Sequence, residues 1–154
     1  MSGLVCSLFF ITGCFSRDVV LSNVKPYSEM MHKKYRLIVD CYICEFDDMK
    51  ANGVLVIMPG VSYVGVPLPV SRDHVGLRIS KDYLRIVGLM DKGSIFEIVN
   101  IVQRGYFGVD YVVRFINDPS IAGQLYSALS LIDRTTYGKP GASELLIECA
   151  VSIE

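Results

Sequence analysis

The chain has 154 residues, enough for one compact domain and little else. Hydrophobic residues make up 51% of it, which supplies a core and argues against disorder along the whole length. Fifteen Lys and Arg stand against sixteen Asp and Glu, without the basic excess or stripe that phosphate contacts demand, so a nucleic-acid partner is not expected.

From Gly3 to Phe15 the chain carries no charge. That run is about half of what a helix needs to cross a bilayer, and it has the proportions of the apolar core of an export signal. It ends in Ile11-Thr12-Gly13-Cys14. An aliphatic residue, two small ones and a cysteine resemble the lipobox of bacterial lipoproteins. The resemblance implies a signal peptide over residues 1–13, cleavage before Cys14, and a diacylglycerol (with palmitate among its acyl chains) on the Cys14 sulfur. Small residues admit the peptidase, a thiol accepts the lipid, and several acyl chains anchor firmly where one is marginal. It also implies a place in the bacterial cell envelope. In a Gram-negative cell, Phe15 rather than an acidic residue after the cysteine suggests the periplasmic face of the outer membrane. The alternative is a buried N-terminal strand from Leu4 to Ile11 with ordinary core cysteines.

Residues 14–34 read as a tether. Ser, Asn, Lys and Glu surround Pro26, which can open a short helix through His32 because proline fits a first helical turn. His32, Lys33, Lys34 and Arg36 form a basic cluster that suits either anionic headgroups or plain solvent.

A single β-rich domain is expected over 35–154. Tyr35, Leu37, Val39, Cys41 and Ile43 alternate with a second set of residues, the period of a strand through Cys44. Asp47 to Gly53 is turn chemistry, and Val54 to Met58 is a second apolar run. Pro59 to Pro69 is rich in Pro and Gly and excludes long regular structure. Ser71 to Gly76 reads as a loop. Leu84–Leu89 and Ile95–Val102 flank Met90-Asp91-Lys92-Gly93-Ser94, a segment with hairpin chemistry. Val109 to Ile116 reads as another strand, Gln124 to Ile132 fits a strand or two helical turns, and Glu144 to Ile153 alternates as a closing strand. The expected fold is mainly β: a small barrel or sandwich of short antiparallel strands, with a short N-terminal helix or tether. Ile86 to Ile98, with its Gly-Leu-Met-Asp-Lys-Gly core, and Tyr111-Val112-Val113-Arg114-Phe115 resemble the strands of bacterial Src-homology-like barrels over about 82–131. That resemblance implies a barrel. It implies peptidoglycan binding less, because the chain has no Trp, a residue such domains commonly set near the ligand.

Candidate chemistry is sparse. Cys41-Tyr42-Ile43-Cys44 has the spacing of a redox or zinc pair, but in a strand the two thiols face opposite sides and cannot chelate together. No metal and no cofactor are expected. Cys41 and Cys149 both occupy the apolar phase of their strands, which makes them a candidate disulfide if those strands are neighbours, with buried free thiols as the alternative. Ser71-Arg72-Asp73-His74 gathers a nucleophile, an acid and an imidazole, yet adjacent residues seldom converge on one point, and a turn capped by Asp73 explains them better. The expected function is therefore non-catalytic: a lipid-anchored envelope lipoprotein whose β domain binds a partner protein or a cell-wall component such as peptidoglycan. Tyr42, Tyr63, Tyr106 and Tyr137 are the candidate binding surface, since tyrosine offers rigid amphipathic contact area. The competing expectation is a small cell-wall hydrolase using Cys44 or His74.

Overall fold

β-branched and aromatic residues at period two dictate strands through most of the chain. The structure, a computed structural model, describes residues 18–46, 55–63, 66–79, 83–104, 108–121, 123–131 and 148–153. Its strands are β1 (Val19–Val20), β2 (Lys34–Leu37), β3 (Cys41–Phe46), β4 (Leu55–Met58), β5 (Val61–Tyr63), β6 (Val66–Leu68), β7 (Arg78–Ile79), β8 (Leu84–Met90), β9 (Ile95–Arg104), β10 (Gly108–Phe115), β11 (Leu125–Ser127) and β12 (Ala150–Ile153). The fold is mainly β. One mixed, sandwich-like sheet runs in the order β12-β2-β9-β10-β11-β4-β3-β8-β7 and is not closed, β1 adds to β9, and β5 pairs with β6 alone. One pair departs from the antiparallel expectation: β11 and β4 are parallel, with Tyr126 opposite Leu55. The ambiguous run after Gln124 divides into both of its readings, strand β11 and then a 3-10 turn at Leu129–Leu131.

The strand expected from Tyr35 to Cys44 is bent rather than straight. Arg36 stands opposite Ile95, and Cys41, five residues further on, stands opposite Met90, five residues back. β2–β3 and β8–β9 are thus the two arms of one antiparallel ribbon whose register survives the bend. At the bend Leu37 N–H donates to Ser94 O and Gly93 N–H to Leu37 O, both at 2.9 Å. Lys92 N–H donates to the Asp40 carboxylate at 2.7 Å. Met90 to Ser94 is therefore a corner and not a hairpin connection, since β8 pairs with β3 and β7 while β9 pairs with β2 and β10. The physical reason is Gly93 at φ +95°, which turns the chain sharply while both strands keep their partners. The segment resembling the Src-homology-like hairpin holds this corner.

The bend wraps one face of the ribbon around a core of Leu37, Cys41, Ile57, Ile98, Tyr111, Val113 and neighbours. Aromatic rings cross it from strand to strand: Tyr35 stacks on Phe96 at 5.6 Å, Phe96 meets Phe115 at 5.5 Å, and Phe115 meets Tyr126 edge-on at 5.4 Å. A second cluster of Tyr42, Cys44, Val61, Ile79, Leu84 and Ile86 lies on the other face of β3 and β8. β3 is consequently buried on both sides.

Residues 18–34 are not a tether. β1 pairs with the far end of β9, Val19 opposite Gln103. Leu21 N–H donates to Ile101 O at 2.8 Å and His32 N–H to Ile98 O at 2.9 Å, so the segment follows the β9 edge until β2 takes over. Leu21, Tyr27, Met30 and Met31 pack on the main core. Pro26 is followed by a single 3-10 turn, Tyr27–Glu29, in place of the longer helix. Apolar spacing here (Leu21, Tyr27, Met30, Met31) serves docking, because an unpaired β9 edge would leave backbone groups unsatisfied.

Gly93 and Gly60 provide a test of the corner. Neither has an atom within 4 Å of an added Cβ, but only Gly93 has positive φ. Gly93→Ala should lower unfolding stability by about 1 kcal/mol, whereas Gly60→Ala should change it by less than about 0.5 kcal/mol, both read from urea denaturation.

Candidate functional site

β3 contributes the most polar of the sequence candidates, and the fold closes over them. Tyr42 is 0% exposed, which removes it from any contact surface. The reason is the layer supplied by Val61, Leu68, Val70 and Ile79, which covers the face of β3 that the sequence pattern assigned to solvent. Its hydroxyl donates to Pro69 O at 2.8 Å and accepts from Ser71 N–H at 3.2 Å. His74 Nδ1 also reaches that oxygen. A phenol has one proton, committed here to Pro69, so Nδ1 must be the donor and His74 carries its proton there. The Ser71-Arg72-Asp73-His74 stretch is a capped 3-10 turn at Arg72–His74, and the cap is Ser71, whose hydroxyl accepts from Asp73 N–H at 3.3 Å. Asp73 is exposed and makes no triad with His74.

The thiols are equally enclosed. Cys44 belongs to the outer cluster beside Tyr42, and burial pushes its thiol up to about 12. Cys41 belongs to the main core, where burial, then Cys149 and Asp40, push it up to about 12. Cys149 shares that core, and burial raises its thiol too. Ile38 N–H donates to Cys149 O at 2.9 Å, which brings Cys149 close to the start of β3. Cys41 and Cys149 are nevertheless free thiols, since sharing a core is a looser condition than the close sulfur approach of a disulfide.

One polar cluster escaped the sequence reading. Arg104 Nε donates to Asp110 Oδ2 at 2.6 Å, Ser127 Oγ donates to Asp110 Oδ1 at 2.8 Å, and Arg104 Nη1 donates to Asp18 Oδ2 at 3.1 Å. Asp110 is 0% exposed. Burial raises its carboxyl above the usual range despite the opposing pull of Arg104 and Ser127. The cluster joins β9, β10 and β11 to the residue before β1. Among the described residues every charged group in it is paired, which makes it a structural knot.

Of the remaining candidates, Cys14, Tyr106 and Tyr137 lie outside the described residues, as does the side chain of Tyr63. Tyr83, which the sequence pattern did not single out, is 61% exposed at the start of β8, beside the edge strand β7. On the outer face of β2, β9 and β10, Lys34 stands opposite Glu97 and Glu97 opposite Arg114. His32 Nδ1 lies 2.8 Å from Glu97 Oε1. The bonds from His32, and then from Arg114, hold the Glu97 carboxyl below its ordinary value. Among the described residues no three of His, Cys, Asp and Glu group closely enough to hold a metal ion, and no helix is long and apolar enough to cross a membrane. No protein-family model, curated protein or solved structure matches the chain.

Two outcomes follow from these environments. At pH 8 a thiol titrating at about 12 is ionised in roughly one molecule in ten thousand, so Cys41 and Cys44 should resist iodoacetamide in the native protein and react fully in denaturant. Peptide mass spectrometry reads both states, and native labelling at the rate of a free thiol would contradict their burial. Arg104→Ala strands a buried carboxyl and should cost about 3–5 kcal/mol. Asp110→Asn should cost less and alter the pH profile. With its proton held more tightly folded than unfolded, Asp110 favours folding less as pH rises through the carboxylate range, and the amide removes that loss from chemical denaturation curves.

Proposed function

We propose that the protein is a lipid-anchored envelope lipoprotein, attached through Cys14, whose β domain binds a partner protein or cell-wall component without catalysis. The observation that carries the anchor is the uncharged run ending in Ile11-Thr12-Gly13-Cys14. The docking of residues from Asp18 onward supports it from the other side. Only three residues separate Cys14 from Asp18, four chain steps with a reach of at most about 14 Å, so an acylated Cys14 holds the domain against the bilayer instead of on a long tether. Val19, Val20 and Val24 are 53%, 57% and 51% exposed beside that entry point, which suits an apolar interface.

Cys44 and His74 favour binding over hydrolysis. A nucleophilic thiol needs a depressed pKa and access, and Cys44 has the opposite of both. His74 is engaged with the Tyr42 hydroxyl, whose proton goes to Pro69 O. Outer-membrane attachment on the periplasmic side remains part of the proposal for a Gram-negative host.

Expressed in a bacterium from its own start, the wild-type chain should incorporate labelled palmitate and partition into detergent, and Cys14→Ser should lose both. A wild-type chain that stays unlabelled and soluble overturns the anchor. Cys44→Ala and His74→Ala should leave the phenotype of the intact gene unchanged, whereas a folded double variant behaving like a deletion would establish the hydrolase.

A further inference from the structure

Register sets a row of side chains across the outer face of the sheet: Ile153, Lys34, Glu97 and Arg114 oppose one another on β12, β2, β9 and β10. Glu97, the acid in this row, is already engaged. One oxygen meets His32 Nδ1 at 2.8 Å and the other accepts from Arg114 Nη2 at 3.4 Å. Lys34 and Arg36 have no carboxylate partner among the described residues, and Lys33 Nζ donates only to the Met30 sulfur, at 3.7 Å. Beside Lys34 opens a cavity of about 340 Å³ lined by His32, Lys33, Lys34, Ser152 and Ile153. Among the described residues its lining side chains offer two ammonium groups, an imidazole and a hydroxyl, and no carboxylate. His32 is fixed at its lip: φ is +63°, and its N–H is bonded to Ile98 O. With Nδ1 committed to Glu97, Nε2 remains the uncommitted ring nitrogen. A second cavity, of about 460 Å³, contains Arg114 and Asp118. Both of those are engaged, Arg114 by Glu97 and Asp118 by Ser120, so it presents no unmatched charge.

We propose that the cavity between β2 and β12 binds an oxyanion, the carboxylate or phosphate group of an envelope polymer, through Lys33 and Lys34 with His32 and Ser152 as further donors. The oxyanion chemistry follows from the donor set, while the polymer rests on the envelope assignment above. Position favours a polymer over the headgroups around the protein's own anchor. The chain enters from Cys14 at the Arg104 end of β9, where Asp18 meets Arg104 at 3.1 Å, whereas the cavity lies by Glu97. Seven residue steps along β9 separate those two ends, about 23 Å, and the four steps from Cys14 to Asp18 reach at most about 14 Å. The pocket therefore lies on the half of the domain remote from the anchor. Exposed lysines bind anions in a salt-sensitive way, and repeated charges along a polymer multiply a weak single contact.

The test uses the full chain carrying Cys14→Ser, with citrate and inorganic phosphate as probes in calorimetric or NMR titrations and with isolated cell-wall sacculi and phosphatidylglycerol vesicles in sedimentation. The expected result is citrate or phosphate binding that weakens at least tenfold in Lys33→Gln/Lys34→Gln and in 0.5 M salt (about a 4 Å screening length). Lys25→Gln removes one positive charge outside the cavity, against two in the double variant, at a side chain that meets Glu29 at 3.2 Å, and should change binding less than twofold. Sacculi should co-sediment in a Lys33- and Lys34-dependent way. Absence of binding to both small anions, or binding indifferent to the double variant, overturns the site. Lysine-dependent binding to vesicles but not sacculi overturns the polymer assignment. Because Cys14→Ser keeps the pocket and palmitate labelling of the wild-type chain reads the anchor, failure of one reading is separable from failure of the other.

Discussion

Register carried through a bend is the constraint from which the rest of this fold follows. The arms β2–β3 and β8–β9 keep one register from Lys34 through the corner to Ile43, and a one-residue shift enters only beyond it, between Ile43 and Cys44. A slip at the corner itself would therefore turn the faces of both arms at once. Leu37, Ser94, Gly93, Lys92 and Asp40 close the corner with backbone and carboxylate bonds. The bend then carries β3 toward β4 and β9 toward β10, and the aromatic series from Tyr35 to Tyr126 fills the space between them. The parallel contact of β11 with β4 completes that arrangement, since these are the strands brought together after the ribbon has turned.

Burial of β3 on both faces decides the chemistry of the domain. A half-buried strand would have shown Tyr42 and Cys44 to water, as alternation suggests. The layer containing β5, β6, β7 and the Arg72–His74 turn covers that side instead. It brings His74 to the Tyr42 hydroxyl, where the imidazole satisfies a buried oxygen. The residue types that hydrolysis employs are present, and they are consumed in holding two layers together.

The long edge of β9 organises the other side of the molecule. β1, the Tyr27–Glu29 lobe and β2 cover it in turn, which gives the domain two distinct ends. At one, Asp18 joins the knot of Arg104, Asp110 and Ser127, tying the incoming chain to three strands. At the other, cross-strand register gathers Lys34, Arg36 and Arg114 around a carboxylate that two neighbours already occupy. Among the described residues, positive charge in excess of acid at that end is a consequence of sheet geometry, and it appears in a chain whose overall charge is nearly balanced.

Strand existence was legible in the sequence because it is a local property: β3 falls on an apolar alternation, and β4, β8, β9 and β10 fall on short apolar segments bounded by turn residues. The face assignments of Cys41 and Cys44 were legible for the same reason, since parity within one strand needs no partner. Partner choice was not. Met90 to Ser94 has hairpin composition, and only tertiary pairing makes it a corner, because the same Lys-Gly turn serves either connection. Residues 18–34 looked like a linker because their apolar side chains are spaced for docking along an edge, a pattern with no period of its own. Tyr42 was misjudged, and Asp110 was not singled out, because burial depends on what covers a residue. The neighbours of Tyr42 come from residues 69–74 and those of Asp110 from positions 104 and 127. The sequence by itself determined the strand-forming segments, the phase of each strand and the uncharged run before Cys14. Tertiary structure alone decided which strands pair, which polar groups are sealed and where the unpaired lysines gather, since each of these depends on contacts between residues far apart in the chain.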